Sequence, residues 1–102
     1  MADLYLPANF ILILHRTYRR QGFFNITVEN DHYFGPDGNA INIFIDDIPN
    51  PIIGHINRTA NTNGTARIMG NVALRNWFEN WQEGQPITVT ILDQNSIRLT
   101  IG

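Results

Sequence analysis

Every cationic side chain in this sequence is an arginine: seven arginines and no lysine stand against nine acids, for a formal net charge of −2. A guanidinium presents a planar fork of donors that matches phosphate oxygens and the O6/N7 edge of guanine, which the point charge of lysine does not. The arginines are also segregated. Arg16, Arg19 and Arg20 fall in residues 15–28, Arg58, Arg67 and Arg75 fall in residues 48–78, and neither stretch contains Asp or Glu. The two stretches carry +6 and the remainder of the chain −8. Separation of sign, more than total charge, is what steers a polyanion.

Two polar segments hold most of these groups. "HRTYRRQG" supplies Arg16, Tyr18, Arg19, Arg20 and Gln21; "NRTANTNGTAR" supplies Asn57, Arg58, Thr59, Asn61, Thr62, Asn63, Thr65 and Arg67. Arginine suits phosphate and guanine, Asn and Gln suit the N6/N7 edge of adenine, and Thr suits phosphate or the thymine methyl, so the inventory fits a double-stranded DNA partner. The plainer alternative is an ordinary polar connection turning at Asn63-Gly64. Tyr18, between arginines, is placed to contact a base or sugar-phosphate. Other chemistries find little support. A two-carboxylate-plus-lysine nuclease lacks its lysine, and "GPDG" at residues 35–38 reads as a turn. His15, His32 and His55 have no ligand spacing, and the adjacent Asp46 and Asp47 alternate faces on a strand. No catalytic residue, metal site or cofactor is expected.

The elements that must position these segments follow from periodicity. "FFNITVE" sets Phe24, Ile26 and Val28 opposite Asn25, Thr27 and Glu29; "AINIFID" sets Ile41, Ile43 and Ile45 on one side. "PITVTILDQNSIRLTI" predicts a hairpin turning at Asp93–Ser96. Shorter runs at "NFILILH", "PIIGHIN" and "TARIM" bring the expected strands to seven. One amphipathic helix is predicted in "NVALRNWFENWQEG", with Leu74, Trp77, Phe78 and Trp81 on one face, Asn71 as N-cap and Gly84 beyond the end; a further helical turn is expected near "NDHYF". The aromatic residues are assigned to the core rather than to a stacking platform. The fold class is mainly β: a seven-stranded open pseudobarrel with one or two short α-helices. Residues 1–102 make one domain, and both arginine-bearing segments are connections between strands. The sequence has no cysteine, no apolar run long enough for a membrane span and no export signal in "MADLYLPANFILIL", so the expected location is the cytoplasm.

"RRQGFFNITV", "INRTANTNGTARIMG" and the helix followed by "EGQPITVTI" resemble the DNA-binding pseudobarrel shared by plant transcription factors of the B-three type and the effector-binding domains of some type II restriction endonucleases. The absence of lysine brings the restriction version nearer. The resemblance implies an N-arm formed by Arg16, Tyr18, Arg19, Arg20 and Gln21. It implies a C-arm formed by Asn57, Arg58, Thr59, Asn61, Thr62, Asn63, Thr65 and Arg67. Together the arms would grip the major groove, with cleavage left to a separate nuclease domain of the parent protein. Two other readings compete. The helix and final strand pair also resemble the swapped-hairpin type of dimeric regulator, and the Asn, Asp and aromatic content suits a carbohydrate- or protein-binding barrel.

Overall fold

Alternating side chains set the architecture. In the computed structural model, which describes residues 6–101, Ile41, Ile43 and Ile45 of strand β3 (Ala40–Ile45) are buried, as are Ile87, Val89 and Ile91 of β6 (Pro86–Asp93) and Ile97 and Leu99 of β7 (Ser96–Ile101). Each such side chain withdrawn from water contributes about 1.5–3 kcal/mol before the entropy of ordering is counted. The remaining strands are β1 (Ala8–Ile13), β2 (Phe23–Asn25), β4 (Ile52–Asn57) and β5 (Arg67–Met69). The seven form one curled, open half-barrel in the order β1-β6-β7-β3-β4-β5-β2. Every pairing is antiparallel except that of β3 with β7. The expected mainly β, seven-stranded fold is therefore observed. The reading of the first five residues as carrying no export signal lies outside the described residues.

Helix α2 (Asn71–Phe78) joins β5 to β6 and inserts Leu74 and Phe78, both fully buried, into the barrel. It stops five residues short of the predicted Glu83. The N–H groups of Asn80 and Trp81 bond three residues back, to Trp77 O and Phe78 O, which tightens the chain out of α-geometry. Trp77 and Trp81 still pack on the core, edge-to-face with each other. At its start, Asn71 has φ 58° and its Oδ1 accepts the Ala73 N–H at 2.8 Å, so the residue expected as N-cap does supply a capping oxygen, although the cap position itself falls on Gly70.

Two sequence expectations change. The segment "HRTYRRQG" is not a loop: Arg16–Gln21 forms a short helix, α1, packed on α2. It ends because Gly22 adopts φ 76° and donates its N–H to Tyr18 O, a conformation that a side chain would resist. The strand read through Glu29 ends at Asn25. Ile26 remains buried, but Val28 is 68% exposed and opens a 3-10 helix, Val28–Tyr33, that covers the turn expected near "NDHYF".

Candidate nucleic-acid interface

The two polar connections leave opposite ends of one small ribbon. β2 pairs with β5 over three residues, with Phe23 opposite Met69 and Asn25 opposite Arg67. The β1–β2 connection, carrying α1, enters at Phe23, whereas the β4–β5 connection, residues 58–66, ends at Arg67. Two strand steps separate these points by about 7 Å. Phe24, Ile56 and Ile68 turn inward and are fully buried, so their neighbours turn to the opposite face, where Phe23 is nonetheless buried beneath Arg67. Across β4, β5 and β2 the register sets Asn57, Arg67 and Asn25 in one row and His55, Met69 and Phe23 in the next.

On the α1 side, Arg16 and Arg20 are one turn of helix apart and exposed, as is Gln21. Together with Arg19, Gln82 and Glu83 the two arginines line a hollow of about 430 Å³. Arg16 meets Glu83 across 3.7 Å with both side chains mostly in water, an interaction of little net value. Arg20 has no hydrogen-bond or charge partner among the described residues, and neither has Arg75, whose Cβ lies close to Gly22 at the end of α1. Arg19 differs. Its Nε donates to Trp81 O at 2.6 Å and its Nη2 to Glu79 O at 3.1 Å, so it ties α1 to carbonyls of the segment just beyond α2. Tyr18 is half-buried, with its ring edge-on to Phe23 at 5.4 Å.

The β4–β5 connection is organised around Arg58. Its Nη1 donates to both carboxylate oxygens of Asp31, at 2.9 and 2.8 Å, and to Gly64 O at 3.1 Å. Its Nε donates to Gly35 O at 2.9 Å and its Nη2 to Phe34 O at 3.0 Å. All the donor groups of this guanidinium are thus engaged within the chain, and Arg58 shapes the loop instead of facing outward. Asp31 also accepts the Ala66 N–H, and Asp37 of the "GPDG" turn accepts the Arg58 N–H. Asn57 Oδ1 accepts from the backbone of Thr59 and Ala60, and Asn63 Oδ1 from Thr65, two Asx turns that fold the loop back on itself. Thr59, Thr62 and Asn63 remain exposed, while Thr65 is buried. Asn25, Asn61, Thr62, Asn63 and Thr65 line a hollow of about 320 Å³.

Arg67 joins the two sides. Its guanidinium lies 4.2 Å from the Phe23 ring centroid, its Nε donates to Asn25 Oδ1 at 3.0 Å, and its Nη2 stands 3.5 Å from Asn61 Oδ1. Sequence reading missed Asn25, Phe23, Arg75 and Asp31 as parts of the site. Periodicity places Asn25 on a strand and Phe23 in the core, and the register that puts Asn25 beside Arg67 is a non-local pairing with no local signal.

Among the described residues no group of three or more His, Cys, Asp or Glu side chains could hold a metal ion, and no helix is long and apolar enough to cross a membrane. No protein-family model and no curated protein matches the chain. Among solved structures it is similar to the N-terminal domain of Helicobacter pylori LlaJI.R1, with a TM-score of 0.69 at 9% identity over 91% of this chain and 79% of that one. At that identity the likeness is one of fold.

Proposed function

We propose that this chain reads double-stranded DNA, with α1 and the β4–β5 connection straddling a duplex and the Asn25–Arg67–Asn57 row facing the major groove between them. One observation carries the reading: Arg16, Arg20 and Arg75 keep their guanidiniums open to solvent at one end of a short ribbon whose other end offers the exposed Thr59, Thr62 and Asn63. In this reading the solvent-open arginines contact phosphates and set register, and the ribbon row touches base edges. The fold is read as a B-three-type pseudobarrel of the restriction-endonuclease kind; the likeness of fold to the N-terminal domain of LlaJI.R1 supports the pseudobarrel part of that reading. The domain is a non-catalytic reader, and cleavage belongs to a nuclease domain of the parent protein. The hairpin of β6 and β7 pairs within the chain to β1 and β3, and the tryptophans pack on the core.

Selection of bound duplexes from a randomised pool at moderate salt tests the proposal. A consensus site is expected, and Arg20→Ala and Arg75→Ala should each weaken binding severalfold for all sequences alike without altering the consensus. No enrichment, or unchanged affinity in both variants, overturns it.

A further inference from the structure

The direction of the hydrogen bonds around the ribbon leaves four of its side chains one-sided. Asn25 Oδ1 accepts from Asn61 Nδ2 and from Arg67 Nε, both at 3.0 Å. Asn57 Oδ1 accepts from the N–H of Thr59 at 2.9 Å, the N–H of Ala60 at 3.1 Å and the Thr59 hydroxyl at 2.9 Å. Asn63 Oδ1 accepts from the Thr65 N–H at 3.2 Å and the Thr65 hydroxyl at 2.8 Å. These amide orientations are dictated by their partners. A guanidinium nitrogen and a peptide N–H only donate, so the amide atom facing each must be oxygen. Asn61 is fixed in the same way, because its Nδ2 faces the carbonyl of Thr65 at 3.2 Å. What remains without a protein partner among the described residues is the Nδ2 of Asn25, Asn57 and Asn63 and the Nη1 of Arg67. Toward a ligand these four side chains offer donors and no unengaged acceptor.

The bases differ in what they present to such a surface. In the major groove guanine shows two acceptors, N7 and O6; cytosine shows an N4 amino donor, adenine pairs its N7 acceptor with an N6 amino donor, and thymine shows one acceptor, O4, beside its C5-methyl, so only guanine offers two adjacent acceptors to a forked donor. A donor set against a donor leaves both desolvated and unpaired. Resting on the DNA-reading function above, we infer that Asn25, Arg67, Asn57 and Asn63 form a guanine-selective subsite that recognises N7 and O6 and rejects the amino edges of cytosine and adenine. Arg67 is its anchor, because the Phe23 ring beneath it and Asn25 beside it hold the guanidinium in place before any ligand arrives.

Phosphate oxygens are acceptors too, so the test acts on bases. A duplex recovered from a randomised pool is remade with 7-deazaguanine at each guanine in turn, which deletes N7 and leaves Watson–Crick pairing intact. The recovered site is expected to contain guanine, and at one position or more the replacement should lower affinity about tenfold. A site without guanine, or full affinity after every replacement, overturns the inference while the DNA-reading function stands. Failure to recover any duplex overturns both. A second arm uses Asn25→Asp, which keeps the oxygen that Arg67 and Asn61 donate to and turns the outward donor into an acceptor. Thermal unfolding verifies the fold, and the ratio of affinities for the guanine and 7-deazaguanine duplexes should fall toward one. An unchanged ratio excludes Asn25 from the subsite and overturns the four-residue assignment.

Discussion

Replacing Arg58 by alanine separates a structural arginine from one proposed to contact DNA. The side chain is 21% exposed and Asp31 26%, and the guanidinium bonds that carboxylate together with the carbonyls of Gly35, Phe34 and Gly64. Hydrogen bonds involving a charged group contribute about 1.5–3 kcal/mol each, but they are not additive. Here water reaches both partners and replaces part of what is lost, as it does for partly exposed ion pairs. A net loss of about 2–4 kcal/mol follows, well below the simple sum. At about 4 °C per kcal/mol for a domain of this size, Tm should fall by about 8–16 °C. Circular dichroism melts of Arg58→Ala, Arg58→Lys and Arg20→Ala measure this directly. Lysine should recover less than half of the loss, since one ammonium cannot span a carboxylate and three carbonyls, and Arg20→Ala should leave Tm unchanged. An Arg58→Ala protein that melts within about 2 °C of the parent yet binds DNA poorly would refute the structural assignment.

Two further outcomes are expected. With Arg16, Arg20 and Arg75 as the solvent-open cations, log K should fall against log salt with a slope of roughly −2 to −3, read from fluorescence anisotropy titrations between 50 and 200 mM salt; a slope near −6 would mean that Arg19, Arg58 and Arg67 also reach phosphates. A methyl group on Gly54 would overlap the carbonyl oxygen of Met69, so Gly54→Ala must push β4 off β5 and should cost about 1–3 kcal/mol in denaturant unfolding.

Much of the fold was legible because it rests on local alternation. Ile41, Ile43 and Ile45, or Ile87, Val89 and Ile91, announce an inward face that a seven-stranded sheet then uses, and Leu74 with Phe78 announces the plugging helix. Periodicity failed where tertiary contacts decide. Six residues with one half-buried aromatic carry no helical stripe, and α1 exists because Tyr18 meets Phe23 and Arg19 holds the segment just beyond α2. Val28 continued a period of two in sequence after the chain had already turned away from the sheet. The charge segregation was visible, but the use of each guanidinium was not. Arg58 and Arg20 look alike in composition, and only the positions of Asp31 and three loop carbonyls make one of them internal.

The brevity of the pairing between β2 and β5 acts as a ruler. Adding one two-residue repeat to both strands would keep every side chain on its present face and carry the two connections about 7 Å further apart. That increment is close to two base-pair rises of B-form DNA, at about 3.4 Å each. Under the proposed DNA-reading function, the span between the two connections is thus adjustable through strand length alone, with both loops left untouched.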